Sequence, residues 1–164
     1  MSSGKTGIGR RLAESTGRPL LDGDEILEER TGGRTAAEVA DAQGIDALHE
    51  MEAEIALAAL SSTTPAVIGP AASVVEVDAV RRAMSGHLVV WLDASAEYLA
   101  ERAVKKDHRP LVGDGDPVEL FTHQIAARRP LVIDLAALVL DVEATRRAEQ
   151  TEAVLALLAE RQVL

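Results

Sequence analysis

Ser3-Gly4-Lys5-Thr6 passes directly into a helical pattern. Gly-Lys-Thr at a helix start is the second half of a phosphate-binding loop. There, backbone N–H groups and a lysine hold nucleotide phosphates, and the Ser/Thr hydroxyl ligates Mg²⁺. Lys5 is a compact charge suited to the β- and γ-phosphates of ATP. Thr6 suits the Mg²⁺ that stabilises charge on a transferred phosphoryl group. The full pattern, G-x-x-x-x-G-K-[ST], carries a strand ahead of it. Counting back from Gly4, that strand and the first glycine fall before Met1. An apolar strand ending in glycine is therefore expected upstream in the natural chain.

Asp22-Gly23-Asp24 follows a short apolar run. One carboxylate can hold Mg²⁺ through water, and the other can accept a proton from a substrate hydroxyl. Taken alone, Asp24 reads as a helix N-cap and Asp22 as a solvated strand end. Beside a phosphate loop the chemical reading is preferred. Arg109-Pro110-Leu111 lies in a polar, glycine-containing stretch. An arginine on a closing lid neutralises phosphate charge, although spacing alone favours an ordinary loop arginine. Arg128 and Arg129 precede Pro130, where they clamp a carboxylate or complement a helix dipole. His49 and Glu52 share a helix face at i, i+3. With no third ligand they make no metal site, and His49 reads as a surface or cleft-lining residue. His87, His108 and His123 are scattered.

These residues need a scaffold, and the apolar pattern supplies one. Helices are expected over 4–15, 36–42, 46–60, 75–84, 96–106, 117–128 and 147–160. Gly17 acts as a C-cap and Ser95 as an N-cap. Strands are expected at 19–22, 66–69, 88–92 and 137–141. The run Leu88-Val89-Val90-Trp91-Leu92 reads as buried on both faces. Strands alternating with helices mean a parallel α/β sheet. Ligands of such sheets bind at the carboxyl ends of the strands, which is where Asp22, Asp24, Gly69 and Asp93 fall. No domain boundary or repeat is visible, so residues 1–164 are expected to form one domain, with a lid loop near 105–116.

Composition excludes several classes. The net charge of −10 argues against non-specific binding to nucleic acid or anionic membranes, while leaving room for a local basic pocket. With no cysteine there is no disulfide framework. No apolar run is long enough for a membrane span, and no signal peptide is visible. A cytoplasmic protein is the expectation. Aromatics make up only 2% of the residues, so Ala, Leu, Val and Ile must build the core.

Together the motifs resemble the shikimate kinases. The stretch from Gly4-Lys5-Thr6 through Asp22-Gly23-Asp24 to Glu28-Glu29-Arg30-Thr31-Gly32, an E-x-R-T-G, is similar to the start of that family in content and spacing. The likeness continues at Thr35–Val39, Glu52–Glu54, Val89–Ser95, Arg109–Leu111 and Arg128–Leu131. The resemblance implies a three-layer α/β fold of the P-loop nucleoside monophosphate kinase type, with five parallel strands ordered 2-3-1-4-5. In this chain the first, central strand is lacking. It implies transfer of the ATP γ-phosphate to the 3-hydroxyl of shikimate, on the route to aromatic amino acids, by a monomer. It places ATP phosphates at Ser3, Gly4, Lys5 and Thr6, with Mg²⁺ near Thr6 and Asp22. It also places Asp24 toward the substrate hydroxyl, Arg109 on the lid, and Arg128 and Gly69 in the substrate pocket.

Two departures fall on that pocket. The family carries F-R-x-x-E where this chain has Leu48-His49-Glu50-Met51-Glu52, and a mostly neutral imidazole replaces a fixed guanidinium. The family's G-G-G is Gly69-Pro70-Ala71-Ala72-Ser73 here, where Pro70 removes an N–H donor. Two alternatives remain open: a non-catalytic relative that binds nucleotide or a protein partner, and a gluconate kinase-like enzyme, which Leu21-Asp22-Gly23-Asp24 also resembles.

Overall fold

The structure is a computed structural model that describes residues 3–104 and 115–162. The chain runs α1 (Lys5–Thr16), β1 (Leu20–Asp22), α2 (Gly23–Arg30), α3 (Ala36–Gln43), α4 (Ile45–Leu60), β2 (Val67–Gly69), a 3₁₀ segment (Ala72–Glu76), α5 (Asp78–Met84), β3 (Val89–Asp93), α6 (Ala96–Val104), α7 (Pro117–Val132), β4 (Ala136–Asp141) and α8 (Arg147–Glu160). The α/β class expected from the sequence is what forms. No helix among the described residues is long and apolar enough to cross a membrane.

The strands form two parallel pairs rather than one continuous sheet. In one pair Leu20 stands opposite Val67, and Asp22 opposite Gly69. In the other Val90 stands opposite Leu138, and Asp93 opposite Asp141, with an irregularity between Val89 and Val90. Ile8 and Leu12 of α1 pack with Leu140, Val154 and Leu158 over one face, joined by Val67, Val90 and Leu92. Residues of α4, α5, the 3₁₀ segment and α7 cover the other, joined by Val89 and Trp91. The alternation along β3 is the two-residue period of a strand between two helical layers.

Local chemistry sets the boundaries. Gly4 at the start of α1 and Gly17 at its end both adopt positive φ, at 96° and 67°, as few residues with a Cβ do. Within α1, a Cβ at Gly9 would lie 2.9 Å from Leu20 Cδ1, so glycine permits the close approach of helix and strand. Ser95 caps α6 as expected, accepting the Tyr98 N–H at 3.2 Å. Thr35 and Glu38 form a reciprocal cap on α3.

Four expectations need correction. The helix expected over 75–84 is broken at Val77, which takes an extended conformation between the 3₁₀ segment and α5. Arg81 holds that break by donating to the Val75 carbonyl at 2.6 Å. The helix expected to stop at Arg128 continues through Pro130 to Val132, because Val132 is 1% exposed in the core beside β3. A helix at Gly23–Arg30 forms although five of its eight residues are charged. Asp22, not Asp24, is its N-cap. Finally, every residue of β3 is half-buried rather than fully buried: helical layers cover both faces, but a cavity opens along its edge.

Candidate active site

The carboxyl ends of β1 and β2 meet the start of α1. Asp22 ends β1, Gly69 ends β2, and the stem of Lys5 lies across both. A Cβ at Gly69 would stand 3.7 Å from Lys5 Cγ and 3.8 Å from Asp22 Oδ2. Gly23 has as little room. A Cβ there would be 3.3 Å from the Ala71 nitrogen and 3.4 Å from the Gly69 carbonyl oxygen. The Asp22-Gly23-Asp24 turn therefore packs directly on the segment after β2.

Asp22 is 2% exposed. Its Oδ1 accepts the Asp24 backbone N–H at 3.0 Å. Its Oδ2 is buried without a hydrogen-bond partner. A carboxylate oxygen in that state is costly unless a cation or a bound water meets it. Beside a phosphate loop and Thr6, this donor set fits Mg²⁺, which keeps most of its water and takes few protein ligands. Among the described residues no three His, Cys, Asp or Glu side chains gather around a metal-sized space. Lys5 Nζ donates to the Pro70 carbonyl, so Pro70, which lacks an N–H, still serves the site as an acceptor.

A second positive charge reaches the loop. Arg102 of α6 lies with Nη2 3.7 Å from where a Cβ of Gly4 would sit. Its Nη1 donates to the Tyr98 hydroxyl at 2.8 Å, and its guanidinium rests 5.3 Å from the centre of the Tyr98 ring. Sequence reasoning missed Arg102. The only signal was the i, i+4 spacing of Tyr98 and Arg102, which is common on any helix.

Further along the same cavity lie Asp24, His49 and Glu52. Burial pushes the Glu52 carboxyl above its ordinary range. The hydrogen bond from Ser73 and the charges of His49 and Lys5 oppose that rise, and Asp24 adds to it. The Ser73 hydroxyl donates to Glu52 Oε2. Glu52, which the sequence offered as a neighbour of His49 and as part of the family likeness, thus lines the cavity, held by Ser73.

Arg128 also lines the cavity but is 8% exposed and already engaged. Its Nε donates to Glu76 Oε1 at 2.6 Å and its Nη1 to Gln124 Oε1 at 3.0 Å. Arg129 points elsewhere, to Asp93 at 3.3 Å. Of the expected residues, the structure brings Ser3, Gly4, Lys5, Thr6, Asp24, His49, Gly69 and Arg128 to one cavity, with Asp22 buried beside it. Arg109 lies outside the described residues, as does most of the expected lid.

The shikimate kinase family model matches residues 1–159.

The chain belongs to the shikimate kinase family.

It is 33% identical to the shikimate kinase of Rhodococcus jostii over 158 residues, covering 96% of this chain and 93% of that protein. It is 34% identical to the shikimate kinase of Symbiobacterium thermophilum, covering 83% and 79%. With the enzyme of Mycobacterium tuberculosis it shares 35% identity, covering 85% and 78%. The fold matches that of a shikimate kinase from Acinetobacter baumannii in complex with shikimate, with a TM-score of 0.84 at 23% identity over 100% of this chain and 91% of that one. It also matches a shikimate kinase from Bacteroides thetaiotaomicron, with a TM-score of 0.81 at 20% identity over 99% and 94%. As a shikimate kinase family member, the protein is a small-molecule kinase.

Proposed function

We propose that the protein transfers the γ-phosphoryl group of ATP to the 3-hydroxyl of shikimate. The observation that carries this reading is the meeting of Lys5, at a helix start, and Asp24 in one cavity, with the unpartnered Asp22 Oδ2 buried beside it. The N–H groups from Ser3 to Thr6, leading into α1, cradle the phosphates, and Lys5 supplies a point charge. Thr6 and Asp22 would hold Mg²⁺, which when bound neutralises charge on the transferring phosphoryl. Asp24 orients the acceptor hydroxyl and takes its proton. Gly69 and Arg128 line the acceptor end, His49 stands where the family carries arginine, and Arg109 would close over the phosphates from the lid.

In this reading residues 1–164 act as one domain, a monomer in the cytoplasm, with no nucleic-acid or membrane partner. The test is coupled ADP release against shikimate. Saturable, shikimate-dependent release supports the proposal, and ATP binding without it contradicts it. A second reading, altered or lost acceptor specificity, is favoured by one contact. The Arg128 guanidinium is already paired with Glu76, and His49 offers no fixed charge to replace it. Under that reading ATP binds, shikimate does not drive turnover, and another hydroxyl compound does.

A further inference from the structure

The 3₁₀ segment Ala72–Glu76 holds two side chains of the acceptor end. Ser73 lines the cavity and donates to Glu52 Oε2. Val74 and Val75 are 1% and 5% exposed and anchor the segment in the core. Arg81 ties down the Val75 carbonyl at 2.6 Å, and the chain turns extended at Val77. Glu76 stands between these anchors, so the fold sets the direction of its side chain. It does not itself line the cavity. Its Oε1 accepts from Arg128 Nε at 2.6 Å, and one turn back along α7 Gln124 Oε1 accepts from Nη1 at 3.0 Å. Neither bond uses Nη2. Arg128 does line the cavity.

This pairing changes what the guanidinium can recognise. Arginine stays charged at any ordinary pH. A carboxylate 2.6 Å away makes the pair neutral, and Arg128 is buried, so water screens the cancellation weakly. A neutral pair still donates hydrogen bonds from its remaining N–H groups, but it offers an anion little net attraction. The neighbouring groups do not restore that attraction. Asp24 and Glu52 carry carboxyl groups, and His49 carries an imidazole with no fixed charge. A carboxylate on the acceptor is therefore favoured little over a hydroxyl at the same place.

We propose that Glu76 sets the acceptor specificity of the cavity: by pairing with Arg128 it removes the advantage of a carboxylate, so that uncharged polyols are phosphorylated alongside hydroxy acids. The inference rests on the reading of this cavity as a site of phosphoryl transfer to a hydroxyl. With either acceptor, the hydroxyl oxygen forms the new bond to the γ-phosphorus of ATP, the bridging P–O bond breaks, ADP leaves, and the hydroxyl proton passes to Asp24. Glu76 touches no acceptor in this scheme. It acts through Arg128, as a positioning residue that also cancels charge.

The probes are shikimate and the alcohol made by reducing its carboxyl group. Each is assayed by coupled ADP release, and its binding is measured by calorimetry with ADP and Mg²⁺ present. In the wild-type chain the two kcat/KM values should differ by less than about tenfold. Glu76→Gln keeps an oxygen for Arg128 Nε and removes the negative charge, and the Glu76 side chain is 42% exposed, so an amide fits there. The variant should lower KM for shikimate about three- to tenfold, the difference between a charge-assisted and a neutral hydrogen bond. Its kcat should be unchanged, and the alcohol should be unaffected. Added salt should raise the shikimate KM of the variant more than that of the wild type. A wild-type preference for shikimate above about 100-fold would overturn the proposal whether or not the variant folds. So would a shikimate KM that rises in Glu76→Gln, which would leave Glu76 as a brace for Arg128 alone, or equal changes for both acceptors. If neither acceptor releases ADP, the reading of the cavity as a transfer site falls, and the dissociation constants decide on the charge preference by the same ratios. Binding of neither acceptor would overturn this proposal as well.

Discussion

The phosphate end of the cavity and its acceptor end are built differently. In the proposed reading the first is made by residues at the tips of short elements: Gly4, Lys5 and Thr6 at the start of α1 and Asp22 at the end of β1, with Asp24 at the junction of the two ends. Its geometry follows from backbone conformation, a positive φ at Gly4 and a strand-to-helix turn at Asp22. The second end is made by side chains from separate elements that hold one another: Glu52 with Ser73, and Arg128 with Glu76 and Gln124. A site fixed by backbone tolerates drift in its surroundings. A site fixed by side-chain pairs changes character when one partner changes, and this is where His49 and Pro70 depart from the family pattern.

The sharpest way to break the comparison is at its junction. Asp24→Asn keeps the size of the side chain and removes the proton acceptor. Steady-state assays should show kcat lower by about 10²–10⁴-fold, with ATP affinity unchanged in calorimetry. A loss of ATP affinity instead would move Asp24 to the phosphate end. Next in size, Lys5→Ala removes a charged phosphate contact. Titration calorimetry should show ATP·Mg²⁺ binding weaker by about 1.5–3 kcal/mol, and unchanged affinity would contradict the phosphate end as described. On the acceptor side, His49→Arg restores a fixed charge. It should raise kcat/KM for shikimate by about 1–3 kcal/mol equivalent. Robust turnover that this change reduces would refute His49 as a weakened ligand.

Which residues were legible in the sequence follows the same division. Lys5, Thr6, Asp22 and Asp24 were legible as candidates because they stand in short local motifs, a Gly-Lys-Thr at a helix start and an Asp-Gly-Asp after a short apolar run. The Glu52–Ser73 hydrogen bond and the approach of Arg102 to Gly4 were not, since only the fold brings those pairs together. Elements of strong apolar period were readable too, and α8 runs over the expected residues, Arg147–Glu160. The break at Val77 and the passage of α7 through Pro130 were not readable, because tertiary burial of Val74, Val75 and Val132 overrides local propensity. The half-exposed β3 defeated the pattern for another reason. Its continuous apolar run predicts cover on both faces, which the helical layers supply, but β4 is its one ladder partner among the described residues and a cavity opens along its edge.

The smallest expected effect concerns Glu52. Burial raises its carboxyl above the ordinary range, so the folded state holds that proton more tightly than the unfolded chain. Its contribution to stability is fully present below the unfolded value and is lost as pH rises through the raised one. Glu52→Gln, which can still accept from Ser73, should therefore raise the melting temperature at pH 7 and leave it nearly unchanged at pH 4. Equal shifts at both pH values would remove burial of the charge as the cause.

The central claim is that one cavity holds the phosphates of ATP at Lys5 and an acceptor hydroxyl at Asp24. Phosphorus NMR of the protein incubated with ATP, Mg²⁺ and shikimate tests it most directly. The account predicts ADP and a new phosphate monoester of shikimate in equal amounts, with the monoester missing for Asp24→Asn. ADP with inorganic phosphate alone, or ATP left intact beside unchanged shikimate, would contradict it.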